Sequence, residues 1–120
     1  MTDQLQETLG TPAHLTEKSL LKPAIKAWRI YLNDQGKSPY TVKAFIADLN
    51  LLDDFLMPDK IIGEITLKDL ENFTNWLENE RGVPCSPKSL SRRITSLKSF
   101  FRWLQKGGVL LVDPADKLLQ

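Results

Sequence analysis

The chain has 120 residues, 42% hydrophobic and 26% charged, with a formal net charge of +1. That allows one domain with a single core, and these fractions are those of an ordinary soluble protein. One cysteine, Cys85, and one histidine, His14, exclude an intramolecular disulfide, a Cys-rich or multi-His metal site and a His-based catalytic triad.

Residues 1–18 are polar, and Gly10-Thr11-Pro12 interrupts any helix. They read as a flexible or loosely docked tail, in which Leu5 and Leu9 form at most one weak turn. Residues 19–120 read as the folded domain. A first helix is predicted from near Ser19 to Gln35-Gly36. Leu21, Ile25, Trp28 and Leu32 make its stripe, with Ala24 and Tyr31 beside them. Pro23 is tolerated only in the first turn and so pins the start, while Gly36 is a natural C′ residue.

The second helix opens with Ser38 as N-cap and Pro39 in the first position. Val42, Phe45, Ile46, Leu49, Leu52, Phe55 and Leu56 make a broad apolar face. Its first two turns expose Tyr40, Thr41, Lys43, Ala44 and Ala47. Asp53 and Asp54 at the far end point about 100° apart, share no site and read as a solvated face.

Met57 to Glu64 is a loop punctuated by Pro58 and Gly63, with Ile61, Ile62 and Ile65 packing it onto the core. Thr66 caps a third helix and Asp69 stands three residues on, a capping box with Asp in place of Glu. Leu67, Leu70, Phe73, Trp76 and Leu77 face inward. Glu71, Glu78 and Glu80 make the outside acidic, which counts against nucleic-acid contact there.

The fourth helix is framed by Ser86, Pro87 and Gly107-Gly108. Its apolar stripe is Leu90, Ile94, Leu97, Phe101 and Leu104, with Phe100 beside it. The opposite face carries Lys88, Arg92, Thr95, Ser99, Arg102 and Lys106. After a short apolar run, Asp113-Pro114 caps a last turn or short helix over 115–119, and the apolar Leu118-Leu119 predicts a chain that continues. Helices joined by short loops, with no strand alternation, predict an all-α orthogonal bundle of four main helices plus a short C-terminal helical turn.

Charge is unevenly spread. Residues 81–112 hold seven Lys or Arg and no acid, leaving nine basic against fifteen acidic residues elsewhere. One basic surface is the footprint of a nucleic-acid binder, although charge alone fits a solvated face equally well. Duplex recognition needs cations for phosphates and short or bidentate polar side chains for base edges. The fourth helix offers Lys88, Ser89, Ser91, Arg92, Arg93, Thr95, Ser96, Ser99 and Arg102. Arg93 falls at the edge of the apolar stripe, where pairing with an acid of a neighbouring helix serves as well as DNA contact. Lys98 is on a flank, and Trp103 is expected to pack against another helix. Ser38, Tyr40, Thr41 and Lys43 give the second helix a smaller surface near its positive dipole end. No catalytic, cofactor-binding or metal-binding residue is assigned. Replacing Arg92 by Ala should weaken DNA binding at almost no cost in stability.

Two of these helices carry a recognisable pattern. Ser38-Pro39-x-Thr41-Val42-x-x-Phe45-x-x-Asp48-Leu49-x-x-Leu52 resembles S-x-x-T-x-x-x-Y-x-x-D-L-x-x-F. Ser89-Leu90-Ser91-Arg92-Arg93-Ile94-x-Ser96-Leu97-Lys98-Ser99-Phe100-Phe101-x-Trp103-Leu104 resembles T-x-x-R-x-L-S-A-L-R-x-F-Y-x-Y-L. Ile65-Thr66-x-x-Asp69-Leu70-x-x-Phe73 and Asp113-Pro114-Ala115 complete the ordered set. It is similar to the N-terminal core-binding, SAM-like domain of tyrosine recombinases of the phage-integrase and Xer type, over about residues 19–118. Phe45 and Asp113 stand where that pattern has Tyr and Asn.

The resemblance implies a module that grips a recombination half-site, its second and fourth helices in the major groove. A separate catalytic domain would supply the Tyr nucleophile with Arg, Lys and His residues and no metal. None of that set is found here: His-x-x-Arg is absent, and Tyr31 and Tyr40 lie in the bundle. The implied partners are double-stranded DNA and other recombinase protomers, with no membrane, small-molecule substrate or cofactor, in a cytoplasmic, nucleoid-associated setting. The competing expectation is a helical protein-interaction module that docks an acidic partner on the basic face of 86–106.

Overall fold

The computed structural model describes residues 14–119. It is an all-α bundle of four main helices: α1 (Leu21–Asp34), α2 (Pro39–Phe55), α3 (Leu67–Asn75) and α4 (Pro87–Lys106). A 3-10 turn, Ile62–Glu64, precedes α3, and a π-helical turn, Trp76–Glu80, continues it.

The helix starts follow from local chemistry. In α2, Ser38 Oγ accepts from the Thr41 N–H at 3.1 Å and donates to Thr41 Oγ1 at 2.9 Å. The start of α4 repeats this with Ser86 and Ser89, both contacts at 3.1 Å. In each case the N-cap satisfies a backbone donor that the first turn would leave without a partner, and the proline after it has no N–H to satisfy. In α3 the capping box is complete: Thr66 Oγ1 accepts from the Asp69 N–H, and Asp69 accepts from the Thr66 N–H. Only α1 lacks a side-chain cap. Its Leu20 instead forms an antiparallel bridge with Ile61.

Two helices stop at glycines with φ of +76° and +83°, Gly36 and Gly108. Lys37 N–H donates to Leu32 O after α1, and Val109 N–H to Leu104 O after α4. These are Schellman closures, in which the left-handed residue favours glycine.

The core is aromatic at its centre. Trp28 of α1 is fully buried, stacked on Phe45 of α2 at 5.8 Å and edge-on to Phe100 of α4 at 5.2 Å. Phe55 of α2 joins Phe73 and Trp76 at 5.5 and 5.2 Å, tying α3 to the same core. Tyr31 and Trp103 meet at 5.5 Å, so Trp103 packs against α1 as expected. Phe45 fills its place by stacking, which needs no hydroxyl.

Part of the stretch read as a tail is packed. Leu15 is buried, the Gly63 N–H donates to Glu17 O, and the Ile62 N–H to Ser19 O, both at 2.8 Å. Leu5, Leu9 and the rest of 1–13 lie outside the described residues. At the other end, residues 113–118 form successive tight turns in place of a regular helix. Asp113 Oδ1 accepts from the Ala115 N–H, and Ala115 and Leu118 are buried. No helix among the described residues is long and apolar enough to cross a membrane.

Candidate nucleic-acid interface

Helix α4 buries Ile94, Leu97, Phe100, Phe101 and Leu104 and turns its other side outward. Lys88, Ser91, Arg92, Thr95, Ser99, Arg102 and Lys106 are exposed along it, and Ser89 is half-buried. On α2, Ser38, Tyr40 and Lys43 are exposed, Thr41 is half-buried, and Tyr40 is 81% accessible. Lys43, Lys88, Arg102 and Lys106 form no ion pair among the described residues. Cations without protein partners keep counterions that a polyanion can displace. Lys98 is committed elsewhere, its Nζ donating to Asp116 O at 3.2 Å.

Between α4 and α1 runs a groove lined by Tyr31, Thr95, Lys98, Ser99, Arg102, Trp103 and Lys106. Its floor is the Tyr31–Trp103 contact and its rim is cationic. Large apolar side chains are absent from the outer face of α4: none of the exposed large hydrophobics lies on that helix. The exposed pair Leu111 and Val112, at 92% and 75%, follows α4 and lines a different groove, together with Glu17, Gly63 and Ile65.

Two predicted contacts, Ser96 and Arg92, sit differently from the sequence reading, and Arg93 takes one of its two expected roles. Ser96 is fully buried and offers nothing to an outside ligand. Its hydroxyl donates to Asp48 Oδ2 at 2.7 Å. Arg93 is turned inward, 18% exposed, with Nε 3.6 Å from Asp48 Oδ1 and Nη1 donating to Cys85 Sγ at 3.2 Å. Of its two expected roles, this is the pairing with an acid of a neighbouring helix. Arg92 is exposed but not free, since its Nη2 contacts Asp48 Oδ1 at 2.6 Å.

The residue that joins these three is Asp48, which the sequence reading placed only within a pattern. It is 2% exposed and bridges α2 to α4. A signal was available: Asp48 lies at helical spacing with Phe45 and Leu52, in the middle of the apolar face. Arg93 is the matching misfit at the edge of the α4 stripe. Two charged residues on facing apolar stripes invite pairing, because a buried charge without a partner is costly.

No group of three or more His, Cys, Asp or Glu is placed to hold a metal ion among the described residues.

Comparison with known proteins agrees with this architecture. The family model described as phage integrase, N-terminal SAM-like domain, matches residues 25–108. The chain is 35% identical over 87 residues to tyrosine recombinase XerC of Oceanobacillus iheyensis, covering 71% of this chain and 28% of that protein. It is 34% identical over 95 residues to the XerC of Chromobacterium violaceum, covering 79% and 30%. With the XerC of Mycobacterium tuberculosis it shares 32% over 84 residues, or 69% and 27%. No solved structure matches significantly. The chain spans less than a third of these relatives, so most of each has no counterpart in these residues. From Ile25 in α1 to the stop of α4 at Gly108, the fold is that of the matched model, and the chain belongs to the phage-integrase family of N-terminal SAM-like domains.

Proposed function

We propose that this chain is the DNA-binding module of a site-specific tyrosine recombinase of the integrase type. It grips a recombination half-site through α2 and α4 and contributes affinity and orientation but no chemistry. The observation that carries this reading is the outer face of α4. Exposed Lys88, Arg92, Arg102 and Lys106 alternate there with exposed Ser91, Thr95 and Ser99. Long cations reach phosphates, while short hydroxyl side chains let the helix axis approach the groove floor. Helix α2 is held against α4 through Asp48, so its first turn forms part of the same rigid body. The partners are duplex DNA and, in the longer protein, other protomers of the recombinase.

The reading as a docking module for an acidic protein finds less support. Protein interfaces centre on large anchors such as Trp, Tyr or Leu, and none of the exposed large hydrophobics lies on α4. The test is an NMR titration of the chain with duplex DNA at low salt. Shifts should cluster at residues 38–47 and 86–106. Shifts confined to acidic α3, or none at all, would refute the assignment.

A further inference from the structure

Asp48 is the only charged side chain buried among the described residues. Three groups of α4 converge on its carboxylate: Arg92 Nη2 at 2.6 Å and Arg93 Nε at 3.6 Å on Oδ1, and Ser96 Oγ at 2.7 Å on Oδ2. A buried ion pair is a weak source of stability, because desolvation offsets most of the Coulomb gain. Packing between α2 and α4 alone would be served as well by an apolar residue. A carboxylate adds direction.

Arg92 is divided between two environments. One nitrogen is held by Asp48, while 45% of the side chain remains accessible. A guanidinium carries five donors in one plane, so with one Nη2 hydrogen on Asp48 the other Nη2 hydrogen and Nη1 remain together as a fork. A freely rotating arginine loses rotamer entropy on binding, and one already held loses less. The same carboxylate cancels part of the charge that would attract any phosphate.

We propose that Asp48 is a positioning residue for DNA recognition: it holds Arg92 at the α2–α4 seam with the free edge of its fork outward, so that Arg92 reads a base edge and does not merely follow the backbone. The base edge whose acceptors match an arginine fork is that of guanine. This rests on the DNA-binding reading above.

The test uses two duplexes, one enriched from a random-sequence pool by the wild-type chain and one with the same bases scrambled. Asp48→Asn should lower the preference for the enriched duplex by about tenfold, the worth of one good base contact. It should also raise affinity for the scrambled duplex, since a negative charge beside two arginines is gone. Arg92→Lys keeps the charge without the fork and should also lower the preference, which tests the base contact itself; if Asp48→Asn fails to fold, the Arg92 guanidinium N–H resonances of the wild type decide, and merged resonances there overturn the positioning role. In the free protein, the Arg92 guanidinium N–H resonances should be separate in wild type and merge in Asp48→Asn. A proportional loss on both duplexes, or a preference that survives these variants, overturns the positioning role and leaves the DNA-binding reading intact. A wild-type chain that enriches no duplex overturns that reading, and the role of Asp48 with it.

Discussion

Arg92 of α4 reaches Asp48 of α2 at 2.6 Å, and only one of the pair is buried: Asp48 is 2% exposed and the Arg92 side chain 45%. The contact changes what Arg92→Ala should do. Sequence alone placed Arg92 on an open face, where its loss costs almost no stability. Here its loss leaves a buried carboxylate with Ser96 and the more distant Arg93. Arg92→Ala should therefore cost about 1.5–3 kcal/mol, the range for a hydrogen bond to a charged group. Urea unfolding measures it, and an unchanged midpoint would show that Arg93 and Ser96 suffice. DNA affinity should fall as well, after correction for any unfolded fraction.

Arg102 provides the contrasting case. It is exposed, on the same face, and has no ion-pair partner among the described residues. Its charge is free to displace counterions from a phosphate. Arg102→Ala should weaken binding similarly on all duplexes and reduce the slope of log affinity against log salt by about 1. Thermal stability should not change. A salt titration of wild type and variant decides, and parallel slopes would place Arg102 outside the interface.

These two arginines also show what was legible in the sequence. Everything set by neighbours in the chain could be read: the caps at Ser38, Thr66 and Ser86, and the stops at Gly36 and Gly108. The apolar stripes followed from periodicity, and with them the bundle. The surroundings of Arg92, Arg93 and Ser96 depend on a residue more than forty positions away, and helical phase says nothing about that. Ser96 looked like a groove-facing hydroxyl because serine is small and polar in either setting. The burial of Leu15 leaves no mark in the sequence, because one leucine in a polar stretch makes no period. Its burial goes with the Gly63 and Ile62 N–H groups, which donate to Glu17 O and Ser19 O beside it. The π-helical turn after Asn75 has no sequence mark that we can identify.

Asp69 gives the fold an acid-sensitive point. Burial pushes its carboxyl up, but the Thr66 backbone N–H and the Lys60 ammonium at 3.2 Å outweigh this and hold it below its ordinary 3.8. The folded chain therefore binds this proton less readily than the unfolded chain. The contribution to stability is complete above the ordinary value and is lost as pH falls through the lowered one. Asp69→Ala should cost about 1 kcal/mol at neutral pH, typical for a lost cap. The gap from wild type should narrow below pH 3.8. Chemical denaturation at neutral and acid pH measures both, and a gap independent of pH would remove the charge from the explanation.

Gly63 controls how the N-terminal segment docks. A Cβ built there would lie 2.8 Å from Glu17 O and 2.9 Å from Glu17 Cβ, closer than packed atoms approach. The first of these is a backbone atom, so relief requires moving the chain. The segment that would move carries the bonds from Gly63 to Glu17 and from Ile62 to Ser19, the Leu20–Ile61 bridge and the buried Leu15. Gly63→Ala should destabilise by about 1–3 kcal/mol, as overpacking does. Hydrogen exchange should show the loss first at the amides of Ile62 and Gly63, before the core helices open. The basic face of α4 does not depend on these contacts, so DNA affinity of the folded fraction should match wild type. If affinity fell in step with protection at Ile62, the N-terminal segment would have to be counted as part of the DNA-binding unit.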